Sequence, residues 1–274
     1  MKNKKIEITK NVALGNDLPI AIIAGPCVIE SKKHAFYLAA ELKKITSSFK
    51  MPFIFKASFD KANRSSIDSY RGPGAKEGLD ILAQIRKEID VPVITDIHTQ
   101  EQAEYAADFV DIIQIPAFLS RQTDLIKAAA LTKKPINIKK GQFLAPEDMF
   151  NVIKKAESFG NKKISLTERG ASFGYHNLVV DFRGLEIMKQ SGYPVIFDAT
   201  HSVQLPGGQG NKSGGNREFV LPLSKAAAAV GAAALFLEVH NNPDKSLSDG
   251  ANSVDLKYFN NILKEIKKID EAVK

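Results

Sequence analysis

Pairs of polar residues, two positions apart, interrupt several apolar and β-branched runs of this sequence. The pairs are Lys56 and Ser58, Asp96 and His98, Asn137 and Lys139, and Thr167 and Arg169. Residues two apart lie on the same face of a strand. A strand that is buried on both faces is normally apolar throughout. Four polar pairs in separate runs therefore predict that the ends of these runs meet around a charged site.

Cations outnumber acids around these positions. The cations are Lys56, Lys61, Arg64, Lys139 and Arg169, and the acids Asp60, Asp96, Asp198 and Glu238 offset only part of their charge. Arginine binds phosphate through two parallel hydrogen bonds, and lysine supplies a point charge. The pattern favours one or two substrates rich in phosphate and carboxylate. A set of structural ion pairs is the alternative.

The only cysteine, Cys27, directly follows a Gly-Pro break at the end of an apolar run. It fits a buried apolar residue, an activated nucleophile or a metal ligand. In a closed barrel of eight strands, Cys27, His201 and Glu238 would end adjacent strands, and Asp249 would lie in the next loop. Thiolate, imidazole and carboxylate groups suit a divalent cation such as Zn, Fe or Mn.

Eight short apolar runs alternate with segments of helical periodicity. We predict strands at 20–27, 53–58, 91–97, 110–116, 135–139, 163–169, 194–200 and 234–240. Eight strand–helix units in this length predict an α/β fold, the (β/α)8 TIM barrel, and a doubly wound open sheet is the alternative. We expect one domain over residues 1–274, with residues 1–18 forming a short N-terminal β-hairpin. The glycine-rich loop 201–215 is either a lid or a plain connection.

Composition limits the classes of partner. The chain is 44% hydrophobic and carries a net charge of +7, which favours anionic partners. We expect no nucleic acid partner, because basic and aromatic residues do not interleave. No apolar run approaches the roughly 20 residues of a membrane span, so we expect no membrane partner. A single cysteine and an N-terminus unlike a signal peptide favour a cytoplasmic location.

Seven stretches together resemble the 3-deoxy-D-manno-octulosonate 8-phosphate synthase family. They are AGPCVIES, FKASFDKANRSS, QIPAFLSRQTDL, IKKGQF, TERGASFGYHNLVVDFR, FDATHSVQLPGG and SDGANS. The resemblance implies condensation of phosphoenolpyruvate with arabinose 5-phosphate, release of phosphate, a role in lipopolysaccharide inner-core synthesis, and a homotetramer. The alternatives are a DAHP synthase-like condensation with erythrose 4-phosphate, which KANRSS disfavours, and a Schiff-base aldolase using Lys56 or Lys139.

The resemblance also implies roles for individual residues. Phosphoenolpyruvate would be held by Lys61, Gln114, Lys139 and Arg169, with Lys56 and Ala117 lining its site. Asn63 would contact the sugar hydroxyls, and Arg64 and Ser65 the sugar phosphate. Ser58 and Gln142 complete the predicted substrate-binding set. The predicted catalytic residues are Lys61, Lys139, His201 and Asp249.

The family has a metal-dependent branch and a metal-independent branch, and the latter carries Asn at the position of Cys27. By this resemblance, a divalent metal would be held by Cys27, His201, Glu238 and Asp249. Lys139-Lys140-Gly141 and Ser248 also resemble the metal-dependent branch, whereas Gly250 is more typical of the other. The sequence therefore favours a metal and leaves its identity open.

Overall fold

The computed structural model describes residues 3–64, 66–207 and 214–274. Eight parallel strands, each hydrogen-bonded to its neighbours, close into a barrel when the eighth pairs with both the first and the seventh. The predicted (β/α)8 barrel is confirmed. The strands are β1 (Ala21–Gly25), β2 (Phe53–Lys56), β3 (Val93–Asp96), β4 (Ile112–Ile115), β5 (Ile136–Lys139), β6 (Ile164–Glu168), β7 (Val195–Asp198) and β8 (Ala234–His240).

One main helix follows each strand and packs on the outside of the barrel. The helices are α1 (Lys32–Ser48), α2 (Ala75–Ile85), α3 (Gln100–Ala107), α4 (Thr123–Leu131), α5 (Met149–Ser158), α6 (Arg183–Lys189), α7 (Val220–Ala229) and α8 (Leu256–Val273). Each buries an apolar stripe; in α8 this stripe includes Phe259, Leu263 and Ile266. Among the described helices, none combines the length and the apolar character needed to cross a membrane.

Alternation along the strands separates two apolar layers. Phe55, Ile138 and Leu166 pack outward in the core between strands and helices, as the spacing of the polar pairs predicts. Ile54 and Ile94 face the interior, where a smaller cluster fills the barrel. The interior therefore becomes polar only toward the carboxyl ends of the strands, which is the end where barrels of this type build their sites.

A short hairpin closes the opposite end of the barrel. Residues Ile6–Thr9 pair antiparallel with Val12–Leu14, which confirms the predicted N-terminal hairpin. Val12 and Leu14 are buried in the interior cluster together with Ile23. The hairpin thus supplies apolar side chains that cover the amino ends of the strands.

Leu14 should be a major contributor to stability because it is buried in this cluster. Leu14→Ala should lower the free energy of unfolding by about 2–5 kcal/mol through lost burial and a residual cavity. The control Leu131→Ala removes a side chain that is 55% exposed and should stay within about 0.5 kcal/mol of the parent. Urea unfolding checks both, and equal effects would contradict the assignment of the hairpin to the core.

Candidate active site

A cavity of about 1010 Å³ opens at the carboxyl ends of the barrel strands. Most of the predicted site residues line it: Lys56, Lys61, Asn63, Arg64, Gln114, Ala117, Lys139, Gln142, Arg169, His201 and Asp249. Cys27, Ser58 and Glu238 are buried against this lining. Ser65 lies outside the described residues. The barrel therefore brings together side chains that are up to 222 positions apart, such as Cys27 and Asp249.

A chain of hydrogen bonds crosses the floor of the cavity from β2 to the end of β3. Lys56 Nζ donates to Ser58 Oγ at 2.9 Å, and Ser58 Oγ donates to Asp96 Oδ1 at 2.5 Å. His98 Nε2 lies 3.1 Å from Asp96 Oδ2. Burial alone would raise the pKa of Asp96, but Lys56 and His98 outweigh it and hold this pKa well below its usual value. Asp96 is therefore a buried anion that keeps Lys56 in place.

A second buried pair joins β5 to β7. Lys139 Nζ donates to Asp198 Oδ2, which also lies 2.8 Å from His201 Nδ1. Burial lowers the pKa of Lys139 in spite of Asp198, and the pKa of Asp198 is lowered because His201 and Lys139 outweigh its burial. The Lys139 ammonium lies 3.9 Å from the centre of the Phe236 ring. Lys56 and Lys139 are therefore both members of buried ion pairs, as the alternative of structural ion pairs predicts for these two cations.

Arg169 differs from these two lysines. Its side chain is buried and donates from Nη2 to Gln204 Oε1 at 3.1 Å. Its Nη1 atom has no hydrogen-bond partner within the described part of the chain. A buried guanidinium nitrogen without a partner is costly unless a ligand supplies an acceptor. This feature of the cavity is therefore suited to an anion.

Gln114 is oriented by a polar layer inside the barrel. Asn137 Nδ2 donates to Gln114 Oε1 at 3.2 Å, and Thr167 Oγ1 donates to Asn137 Oδ1 at 2.7 Å. Because the Gln114 oxygen accepts from Asn137, its amide N–H groups are available to the cavity. The pair Asn137 and Thr167 therefore supports a neighbouring residue rather than forming part of the lining.

Arg64 lies across the barrel from Arg169, and two backbone carbonyls accept hydrogen bonds from its guanidinium. Its Nε donates to Tyr70 O at 3.0 Å and its Nη2 to Leu247 O at 2.7 Å. Lys61 lies nearby in sequence. Burial would lower its pKa, but the charges of Glu238, Asp96 and Asp249 raise it above its usual value. Both side chains line the cavity as cations.

Three of the four predicted metal ligands form one cluster, and the fourth, His201, lies beside it. Ligand atoms of Cys27, Glu238 and Asp249 all lie within 4.8 Å of one another. His201 Nε2 is 3.4 Å from Glu238 Oε1 and 3.9 Å from Asp249 Oδ2. Neither carboxylate oxygen of Glu238 has a hydrogen-bond partner among the residues described. Sulfur, imidazole and carboxylate donors around an unsatisfied buried anion fit a divalent metal of intermediate softness.

Cys27 needs a cation if it is to act as a thiolate. Burial, together with the charges of Asp249 and Glu238, raises the pKa of its thiol well above the usual value. The thiol donates to Asp249 Oδ2 at 3.1 Å, and its sulfur lies 2.8 Å from Ser248 Oγ. A bound metal would therefore displace the thiol proton, which is how metal binding couples to deprotonation.

Gln204 is a residue of the site that no pattern in the sequence pointed to. Gln204 bridges the two halves of the cavity, since it accepts from Arg169 and donates to Asp249 Oδ1 at 3.0 Å. It lies in the glycine-rich loop whose lid role we left open. The described ends of that loop form a two-residue bridge, Gln204–Leu205 with Gly214–Gly215. Residues 208–213 lie outside the described residues, so the lid interpretation stays a prediction.

The pairing of Lys139 with Asp198 predicts a large cost for removing the anion. Asp198→Asn leaves the buried ammonium of Lys139 without a counter-charge and should lower the free energy of unfolding by about 3–5 kcal/mol. Adding Lys139→Met should recover much of this loss, because the unpaired charge is then gone.

The matched control is Asp181→Asn, which breaks the exposed pair of Asp181 with Arg183. It should leave the free energy of unfolding nearly unchanged. Chemical unfolding of the four proteins tests the pairing. Equal behaviour of the buried and the exposed substitution would refute it.

The sequence matches the model of the DAHP synthetase I family over residues 3–274. Relatives named 2-dehydro-3-deoxyphosphooctonate aldolase align over nearly the whole chain. The relative from Geotalea daltonii is 57% identical over 264 residues, which cover 96% of this chain and 97% of that protein. The relative from Rickettsia bellii is 54% identical over 271 residues, 99% of each chain. This chain therefore belongs to the DAHP synthetase I family, among its 2-dehydro-3-deoxyphosphooctonate aldolases.

Proposed function

We propose that this enzyme condenses phosphoenolpyruvate with D-arabinose 5-phosphate, giving 3-deoxy-D-manno-octulosonate 8-phosphate and inorganic phosphate. The observation that carries the proposal is one cavity with two separate arginines. Arg169 extends from β6, and Arg64 lies in the loop after β2, four strands away around the barrel. Two such groups suit two phosphorylated anions. The aldolase name of the relatives points to the same reaction.

Phosphoenolpyruvate is assigned to the side of Arg169. The free Nη1 of Arg169 offers N–H groups to a phosphate or carboxylate oxygen. Lys139 and Lys61 add positive charge, Gln114 adds an amide, and Lys56 and Ala117 complete the wall. A small trianion held by several partly buried cations gains from their charge and from fixed geometry.

The sugar phosphate is assigned to Arg64. Two of the five N–H groups of its guanidinium bind backbone carbonyls, which leaves three for a phosphate. Asn63 is exposed beside it at the rim of the cavity, where a sugar hydroxyl can reach. Gln142 also lines the cavity, and its side-chain oxygen has no partner within the described residues.

Counted as single bonds between non-hydrogen atoms, the proposed reaction forms one carbon–carbon and one carbon–oxygen bond and breaks one carbon–oxygen bond. The double-bond electrons of phosphoenolpyruvate join its carbon 3 to the sugar aldehyde carbon, and the aldehyde oxygen takes a proton. Water adds to carbon 2 and loses a proton. In the resulting hemiketal phosphate, the carbon 2 hydroxyl loses its proton and becomes the carbonyl oxygen, while the bond from carbon 2 to the phosphate oxygen breaks and the departing phosphate takes up the proton. The cations offset the repulsion between the two anions throughout.

Cys27, His201, Glu238 and Asp249 would hold a divalent metal, with Zn, Fe or Mn as candidates. When bound, such a cation supplies Lewis-acid chemistry toward an aldehyde or a water oxygen. The chain's own contribution is positional. Asp198 accepts from the His201 backbone N–H at 2.9 Å and lies beside its Nδ1, so the ring presents Nε2 toward Glu238.

A Schiff-base aldolase is less consistent with this site. It needs a neutral and accessible lysine amine, but Lys56 and Lys139 are both buried in ion pairs. Trapping of a substrate adduct by borohydride would revive it.

The proposal includes the cellular context. We place the enzyme in the cytoplasm, where a reducing environment suits its single buried thiol, and its product in lipopolysaccharide inner-core synthesis. We also propose a homotetramer, as the family resemblance implies. The exposed aromatic side chains of Phe118, Phe143 and Phe173 are candidates for contact with a neighbouring subunit.

Phosphate release with each aldose phosphate tests the reaction. With phosphoenolpyruvate present, arabinose 5-phosphate should give rapid turnover and erythrose 4-phosphate little or none, because the loop carrying Arg64 sets the position of the sugar phosphate. Product mass should equal the sum of the substrates and water minus phosphoric acid. Preference for erythrose 4-phosphate would overturn the assignment of the sugar.

Removal of metal tests the cluster around Cys27. A chelator should abolish turnover, and added Mn, Zn or Fe should restore it, because the proposed metal would supply the Lewis-acid chemistry that this cluster lacks on its own. Cys27→Asn removes a proposed direct ligand, so it should weaken metal retention by more than the roughly ten- to hundredfold that loss of an outer-shell partner costs. Metal content after dialysis against chelator measures this. Full activity in protein shown to be free of metal would contradict the metal proposal.

A further inference from the structure

A closed circuit of hydrogen bonds surrounds Arg64. The carbonyl groups of Tyr70 and Leu247 accept from its guanidinium. Each of these two residues also forms a hydrogen bond with the dipeptide Ile29-Glu30, which follows β1. Tyr70 Oη donates to Ile29 O at 3.0 Å, and Leu247 N donates to Glu30 Oε1 at 2.8 Å. Ile29 and Glu30 therefore anchor both loops that hold Arg64.

Within this circuit, two side chains bind the loop after β8. Arg64 binds the Leu247 carbonyl, and Glu30 binds the Leu247 N–H. Its carboxylate also lies 3.4 Å from Ser246 Oγ. The same loop carries Ser248 and Asp249, which contact Cys27. Asp249 has a positive φ of 50°, a conformation that costs energy for a residue with a side chain. Contacts elsewhere in the loop must therefore hold it in this form.

The surroundings of Glu30 favour an anchoring role over a second metal site. Glu30, His34 and His240 have the side-chain types of a metal cluster. However, Asn242 N donates to His240 Nδ1 at 2.9 Å, so Nδ1 is an acceptor and the ring proton lies on Nε2. That nitrogen lies 3.3 Å from Glu30 Oε1, close enough for electrostatic attraction but outside hydrogen-bond geometry. A protonated imidazole nitrogen does not ligate metal, but it does stabilise a carboxylate.

We propose that Glu30 is a positioning residue for the sugar-phosphate site, acting on Arg64 through Leu247. The inference rests on the proposed function, since it assigns Arg64 to the phosphate of the sugar. Glu30 does not line the cavity. It affects the substrate by holding the carbonyl that orients the guanidinium. Tyr70 orients the guanidinium through its own carbonyl, and its hydroxyl is held by Ile29 O. Substitutions at Glu30 and at Tyr70 therefore test the positioning of Arg64 independently.

Glu30→Ala and Tyr70→Phe each remove one anchor. Each should raise the KM for arabinose 5-phosphate by about three- to tenfold, the value of one hydrogen bond. The KM for phosphoenolpyruvate should change by less than about twofold, because Arg169 lies across the barrel. Glu30→Gln keeps an oxygen for the Leu247 N–H and should recover most of the loss. The exposed Glu104 on α3 provides the control Glu104→Ala, with no effect expected.

Hydrogen exchange gives a readout that does not depend on the reaction. In Glu30→Ala, exchange in residues 241–253 should be about tenfold faster, while α8 stays unchanged. Unchanged exchange, or equal rises in both KM values, would overturn the proposal. If the parent enzyme itself releases no phosphate with arabinose 5-phosphate, the proposed function fails, and the exchange experiment still decides whether Glu30 anchors the loop. Tyr70→Phe keeps the kinetic test available if Glu30→Ala does not fold.

Discussion

Charges converge at the carboxyl end of a closed barrel, and buried charges must be neutralised. The strands bring Lys56, Asp96, Lys139, Asp198 and Glu238 into a space that water barely reaches. An isolated ion there would cost several kcal/mol, so each must lie beside an opposite charge. The pairs of Lys56 with Asp96 and Glu238, and of Lys139 with Asp198, meet this constraint. They also fix the lysines that face the cavity.

The same constraint explains which groups are left for ligands. Once Lys56 and Lys139 are paired, the unsatisfied atoms include Arg169 Nη1 and both carboxylate oxygens of Glu238, within the part of the chain that the structure describes. The guanidinium of Arg169 is positive and suits an anion. The carboxylate of Glu238 is negative and suits a cation. Phe236 belongs to the apolar interior cluster and lies under the Lys139 ammonium and beside the His201 ring, where the apolar interior meets the cavity. The proposed anion site at Arg169 and the proposed metal site at Glu238 would therefore lie at the ends of β6 and β8, on the two sides of β7.

Sequence periodicity predicted the part of the site that strands build. Residues two apart, such as Lys56 and Ser58, had to share a face, and eight regular units had to close a barrel, which brought Cys27 to Glu238. Contacts made by loops were not predictable in this way. Arg64 binds the Leu247 carbonyl in a loop 183 positions away, and Gln204 binds Asp249 through an uncharged side chain. The contact of Arg64 with the Tyr70 carbonyl lies within one loop but also depends on backbone conformation. Such contacts depend on loop conformation, which has no periodic signal.

The ends of the elements differ modestly from prediction for a similar reason. The sequence predicted a strand at 20–27, whereas β1 ends at Gly25. Beyond it the chain turns toward the cavity, and Val28 forms only an isolated bridge with Ser58. A Cβ at Gly25 would lie 2.0 Å from Lys56 O, so this position requires glycine for close packing of β1 on β2. Apolar character continues past the strand because Cys27 and Val28 remain buried.

The central claim is that one cavity holds two phosphorylated substrates on different sides. Steady-state kinetics of Arg64→Ala, with each substrate varied separately, test it most directly. Loss of a charge-assisted contact worth about 1.5–3 kcal/mol should reduce kcat/KM for arabinose 5-phosphate roughly ten- to hundredfold, while the KM for phosphoenolpyruvate stays close to the parent value. A defect that falls mainly on phosphoenolpyruvate, or no defect for either substrate, would contradict the account.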